Sequence, residues 1–263
     1  MNAYYALFGA RFRELLQYRA AAIAGFVTQL FWGLIRIMIF EAFYRVLSAA
    51  QPMRFEEVVT YVWLSQAFLM LIPFRMDGEA MQKVRDGSVV YELARPLDLY
   101  GLWFARALAL RLAPTLLRAV PLLAIAACGL GLQAPASWAA AAAGAASLAA
   151  AFLLAAALTA LVTTSLFWTV SGEGVARLLP LTIWICSGIV LPLPFFPEWL
   201  QRVLEWLPFQ GLIDVPFRLY LGHLPPEAAL AQIGKQLAWT AALVLLGRGL
   251  LNRGLRRLEV QGG

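Results

Sequence analysis

Residues 138–170 read WAAAAAGAASLAAAFLLAAALTALVTTSLFWTV, 33 positions without one charged side chain. As a helix rising 1.5 Å per residue, such a run is about 50 Å long, more than the roughly 30 Å hydrocarbon core of a bilayer. A water-soluble domain has nowhere to bury a rod of this kind, so the chain has to fold in lipid, and the helix has to tilt, bend or project beyond it. Its small side chains allow close backbone approach, which suits packing on another helix better than a ligand site.

Five more apolar runs, 20–47, 58–74, 112–132, 176–193 and 230–251, approach or exceed the roughly 20 residues that a crossing needs. The chain is 62% hydrophobic and 14% charged over 263 residues, well below the roughly one quarter charged that is usual in soluble domains. A barrel is excluded because the runs are unbroken rather than alternating. The expectation is an all-α integral membrane protein with six spans and no soluble domain of any size.

The basic residues orient it. Five of the 21 Lys and Arg residues, Arg45, Arg54, Arg202, Arg218 and Lys235, fall on the face opposite the N-terminus. Arg36 and Arg118 fall inside spans, and all the others share the N-terminal side. That bias places both termini in the cytoplasm and explains a net charge of +6 without nucleic acid. Residues 1–19 carry a helical stripe of Tyr4, Tyr5, Phe8, Phe12, Leu15 and Leu16 opposite Arg13, Glu14 and Gln17, so they read as a helix lying in the membrane interface. The run from Ala20 is too long for a signal-peptide core and is expected to stay as a span.

After the fifth run, Pro192, Pro194, Pro197, Pro208 and Pro216 interrupt two short aromatic helices. This stretch is too apolar for an outer loop and too broken to span, so 194–226 is expected to dip back as a re-entrant hairpin.

Enzyme chemistry finds little support. The single histidine, His223, rules out an HExxH zinc site, and there is no GxSxG nucleophile turn. EGVAR at Glu173–Arg177 is one residue short of the DGxxAR spacing of phosphatidyl-alcohol transferases and lacks their downstream aspartates. Cys128 and Cys186 sit inside apolar runs as small hydrophobes. No metal or catalytic residue is assigned. The Gly234-Lys235 pair has Ala229 and Gln236 where a phosphate loop needs Gly and Ser or Thr, so ATP-driven work requires a partner. No acidic relay or internal repeat points to ion coupling. Arg36 and Arg118 are candidates for a translocation path because charge inside a span is costly; snorkelling or a structural ion pair is the alternative for each.

Between the second and third runs, 75–111 carries RDGSVVYELARPLDLY, a charged segment between greasy ones. It resembles the "basic-x-Gly … Leu-x-Arg-Pro-Leu" signature of one branch of ABC-2 type permeases, in Arg85, Gly87, Leu93, Arg95, Pro96 and Leu97. PLPFFPEWLQRVLEWLPFQGLIDVPFRLYLG is similar to the outer element of that branch, in Pro192, Phe195, Phe196, Pro197, Trp199, Leu200, Leu207, Pro208, Phe209, Pro216 and Gly222. One departure is Ala94, where a second leucine is commoner. The resemblance spans essentially the whole chain.

The resemblance implies an exporter with two ATP-binding subunits, which hold ATP and Mg, and a second permease, related but not identical, in a bacterial inner membrane. This chain would bind no cofactor itself. Asp77, Glu79, Lys83, Val84, Arg85, Asp86, Gly87, Glu92, Arg95 and Pro96 are the expected ATPase-coupling residues: charges set register, Val84, Val89 and Val90 give apolar contact, Gly87 ends a helix, and Pro96 redirects the chain. Phe195, Phe196 and Trp199 are the expected outer gate. An ATP-independent carrier or a lipid-modifying membrane enzyme is the alternative.

Overall fold

A computed structural model describes residues 3–46, 50–73, 77–168 and 173–256. Among these residues the fold is all-helical. The elements are α1 (Ala3–Leu16), α2 (Arg19–Val46), α3 (Phe55–Ala67), α4 (Gly78–Arg85), α5 (Val90–Leu93), α6 (Leu99–Gly129), α7 (Trp138–Ser165), α8 (Glu173–Cys186), α9 (Glu198–Trp206), α10 (Asp214–Leu221) and α11 (Ala229–Leu255). Short 3-10 turns follow α3, precede and follow α9, and precede α11.

The alanine-rich α7 forms the axis. Alanine has the strongest helix propensity, and Ser137 caps the first turn by accepting from the Ala140 N–H at 3.0 Å. Its small side chains let α6, α10 and α11 pack directly on it. Gly144 is an example: a Cβ there would lie 3.2 Å from the Pro216 carbonyl of α10.

Four described helices, α2, α6, α7 and α11 with its preceding 3-10 turn, are long and apolar enough to cross a bilayer. The other two expected spans take a different form. α3 is only 13 residues long and α8 only 14, about 20 Å each. In α3 every residue from Glu57 to Ala67 is buried, enclosed by α2, α6 and α10. Apolar content alone does not distinguish such an enclosed helix from a lipid-facing one, which is why the sequence suggested a full crossing. Positions 47, 74–76 and 169–170, where expected spans end or the connecting segment begins, lie outside the described residues.

α6 begins at Leu99, well before the expected third span at 112, so residues 99–111 of the connecting segment belong to this helix. Asp98 caps it, accepting from the Gly101 N–H at 2.8 Å. Pro114 and Pro121 lie within it; in a bundle, neighbouring side chains re-satisfy the carbonyls that prolines free. Against the start of α6 lie α1 and the last turns of α11. The Asp98 N–H donates to the Tyr4 hydroxyl at 2.9 Å, Arg248 reaches the Asp98 carboxylate at 3.2 Å, and Gly247 leaves room for the Tyr100 ring. This end of the bundle also carries α4 and α5.

At the opposite end, α10 wedges between α3 and α7. Phe217 meets Tyr61 edge-on, with centroids 5.4 Å apart. Asp214, fully buried, receives the Tyr61 hydroxyl at 3.2 Å and the Leu193 N–H at 3.1 Å, with Arg218 3.4 Å away. Gln236 of α11 ties α7 to the hairpin by donating to the Ser147 and Gly211 carbonyls at 3.1 and 2.6 Å.

Candidate functional site

α4 starts at Asp77, whose carboxylate accepts from the N–H groups of Glu79 and Ala80. It ends after Arg85, where Gly87 takes φ +77° and the Val89 N–H closes on the Lys83 carbonyl at 2.9 Å. Only glycine adopts that left-handed conformation without steric cost. The chain then turns through α5 and Pro96 to the Asp98 cap. Val89, with no exposed surface, packs with Ala80, Leu99, Tyr100 and Trp103, and Val84 and Leu97 lie against the same cluster. α4 and α5 are therefore seated on α6 by an apolar floor.

Around that floor runs a charged ring centred on Arg106 of α6. Its Nε lies 2.7 Å from one Asp77 oxygen and a terminal nitrogen 3.1 Å from the other. The same guanidinium meets Glu79 at 2.6 and 3.1 Å and approaches Glu92 at 3.7 Å. Lys83 bridges Glu79 and Glu92 at 2.7 Å each. The Trp103 indole N–H donates to Glu92 at 3.0 Å, and Arg11 of α1 stands 3.6 Å from Glu79. Asp77, Glu92 and Arg106 are buried. Hydrogen bonds from Arg106, with Lys83 assisting, hold the Glu79 carboxyl down at about 2. Burial of Lys83 works against its charge, but Glu79 and Glu92 more than offset this and raise its pKa.

The ring divides the expected coupling residues. Asp77, Glu79 and Glu92 are engaged with α6, Glu79 keeping an exposed edge, and Lys83 is tied to Glu79 and Glu92. Sequence spacing alone does not point to Arg106, the common partner of the three carboxylates, because it lies in the connecting segment before the expected third span. Asp86, Gly87, Arg95 and Pro96 are exposed, together with Val90, Leu93 and the 77% exposed Tyr91. Asp86 folds back on Ser88 at 2.6 Å, which lowers its pKa. The Arg85 side chain lies outside the described residues. Since Val84 and Val89 face inward, the outward apolar surface is Val90, Tyr91 and Leu93.

A second arginine passed over in sequence reading is Arg111, one and a half turns further along α6. It is buried and donates to the Met70 and Ile72 carbonyls at 3.2 and 3.1 Å and to Thr159 at 3.1 Å. It thereby fixes the end of the α3 segment to α6 and α7.

Arg36 and Arg118 lie apart from each other. Arg36 donates to the Val190 carbonyl at 2.9 Å, joining α2 to the turn after α8. Arg118 extends across Gly25 of α2, reaching the Ala21 carbonyl at 3.4 Å and the Met70 sulfur at 3.6 Å. The three expected gate residues also separate. Phe195 packs on Phe40 with centroids 6.2 Å apart, Phe196 is half-buried, and Trp199 is 68% exposed on α9.

Comparison with curated proteins returns no match. A family model described as ABC-2 family transporter protein matches residues 26–262, all but the first helix and the start of the second.

Proposed function

Because the chain belongs to the ABC-2 family of transporter proteins, we propose that it is the permease subunit of an ATP-driven exporter, in which α4 and α5 dock on a separate ATPase and pass its movement to α6. The observation that carries this reading is the Arg106 ring. A transporter shifts between two arrangements, and a partner drives the shift only by interacting differently with each. Transmission then requires a stiff joint. Two buried carboxylates and a third, partly exposed one, held by one bidentate guanidinium, supply it, because displacing any member leaves buried charge unpaired.

In this reading the coupling residues have two duties. Asp77, Glu79, Lys83 and Glu92 are the linkage to α6. Arg85, Asp86, Gly87, Arg95 and Pro96, with Val90, Tyr91 and Leu93, are the docking surface: exposed aromatic and aliphatic anchors within a charged rim are what a protein partner buries. ATP and Mg belong to the ATPase, present in two copies, and a second permease, related to this chain, completes the pathway in a bacterial inner membrane.

Six crossings remain the topology that fits both the charge bias and cytoplasmic termini. α3 with its 3-10 turn, and α8 with the turn after it, serve as the short second and fifth segments. The α9–α10 hairpin dips back from the outer side, and Phe195, Phe196 and Trp199 close the exit.

Tagged chain purified from its native membrane tests the assignment. Recovery of an ABC ATPase, lost or uncoupled when Asp86 is charge-reversed or Tyr91 is replaced by alanine, is the expected result. A chain that transports without any ATPase would overturn it.

A further inference from the structure

α2 is the most exposed of the long helices, with only Ala22, Gln29, Gly33 and Phe40 buried. It touches the bundle along a narrow stripe in which glycines admit large side chains from its neighbours. The Arg118 guanidinium of α6 fills the space at Gly25, and the Trp63 ring of α3 fills the space at Gly33, where a Cβ would come within 2.2 and 2.5 Å respectively. Gln29 lies between them, one helical turn from each. It is 2% exposed, and neither its amide nitrogen nor its amide oxygen is hydrogen-bonded.

That position is costly. Gln29 lies ten residues beyond Arg19, about 15 Å along the helix, which is the middle of a roughly 30 Å hydrocarbon core. An amide without a partner at that depth is disfavoured, and a Leu would fill the same space without the cost. Its surroundings have the character of a headgroup and tail site. The guanidinium lies one turn away, and Phe26, Leu30, Trp63, Ala119 and Leu122 belong to one apolar cluster along the same seam. An arginine and an amide N–H both donate, so the group they suit is an acceptor carrying negative charge.

We infer that the seam between α2 and the α3–α6 pair is a binding site for an anionic amphiphile, a lipid-like molecule whose carboxylate or phosphate meets Gln29 and Arg118 while its chain lies along Trp63, Phe26 and Leu30. The inference rests on the transporter reading and gives its cargo a chemical class. Access is lateral, by displacement of α2, which the glycine stripe holds by shape and few polar bonds. Gln29 and Arg118 are substrate-contacting groups, and Trp63 belongs to the apolar cluster.

The experiment uses the purified complex in nanodiscs, with 5-doxyl-stearate as the anionic probe, its methyl ester as the neutral one, and tryptophan fluorescence quenching as the readout. Saturable quenching by the acid and not by the ester is expected. Affinity should fall about tenfold or more in Gln29→Leu and in Arg118→Met and recover in part in Arg118→Lys. Gln29→Leu guards against misfolding, since it removes an unsatisfied amide and should melt no lower than wild type. If it melts higher but binds the acid as before, Gln29 is only structural and the site is refuted. Equal quenching by acid and ester, meaning partition into lipid only, refutes it too. Because binding is read separately from copurification of an ATPase, failure of the seam and failure of the transporter assignment are distinguishable.

Discussion

Arg106 and Asp77, 29 positions apart, meet fork to fork: two guanidinium nitrogens face two carboxylate oxygens at 2.7 and 3.1 Å, both side chains nearly enclosed. A single pairing thus ties the N-cap of α4 to the second turn of the long α6.

Replacing Arg106 with Gln leaves Asp77 buried without its counter-charge and Glu92 with Lys83 alone. Loss of one partner from a buried ion network costs about 3–5 kcal/mol, so the detergent-solubilised variant should melt well below wild type. Arg106→Lys keeps the charge without the fork and is expected to retain the fold with poorer coupling. ATP hydrolysed per substrate moved, compared with wild type, is the measurement.

The ring also has a pH signature. The Glu79 carboxyl is held at about 2 against an ordinary value of 4.5, so its contribution to stability is complete above about pH 4.5 and is lost as pH falls towards 2. Melting temperature should therefore be insensitive to Glu79 between pH 5 and pH 8. Below that range the wild type loses stability, and Glu79→Gln should lack this part of the acid limb. A pair of thermal-shift titrations from pH 7 to pH 3 compares the two.

At the docking surface, Tyr91→Ala removes a side chain that is 77% exposed. An exposed aromatic anchor of this kind is worth about 1–2 kcal/mol or more at an interface, so affinity for the ATPase should fall roughly tenfold while the melting temperature is unchanged. Pro96→Ala should leave membrane insertion intact and reduce transport-coupled hydrolysis. Wild-type hydrolysis and export in both would remove the docking role.

Gly247 and Gly249 make a paired control. A Cβ at Gly247 would come within 2.5 Å of the Tyr100 ring, whereas one at Gly249 meets nothing within 4 Å. Gly247→Ala should cost about 1–3 kcal/mol through overpacking, and Gly249→Ala should be neutral or slightly stabilising. Equal melting temperatures would contradict the packing of α11 on α6.

At the hairpin, simultaneous alanine substitution of Phe195, Phe196 and Trp199 should slow or leak transport, with Phe195 accounting for most of the loss in stability because it packs on Phe40. Unaltered transport would argue against a gate.

Helix class and membrane residence were readable from sequence, because apolar run length reports directly on long apolar helices; α2, α7 and α11 begin within one residue of the runs at 20, 138 and 230, while α7 ends at Ser165 and α11 continues to Leu255. The lengths of α3 and α8 were not readable. Val58, Val62 and Leu64 look the same whether lipid or α10 surrounds them. Gly87 and Pro96 carried local signals, a helix stop and a turn, and fell where those signals predict, whereas Asp77, expected as a register-setting charge, caps α4. Arg106 and Arg111 carried none. An arginine near a helix start satisfies the positive-inside rule equally well as a surface charge or as the centre of a ring, and only the fold brings Asp77 and Glu92 to it. Asp214 was missed for a similar reason: its partners Tyr61 and Leu193 are 153 and 21 positions away.

The Asp98 N–H donates to the Tyr4 hydroxyl of α1, while its carboxylate caps the start of α6 and meets Arg248 in the last turns of α11. The first and last described helices are therefore moored to one residue. Fluorophores attached near the first and last helices would form a built-in gauge: their separation should hold steady for as long as that mooring does, and any change during turnover would record the tilt of α6 without a label placed in the membrane.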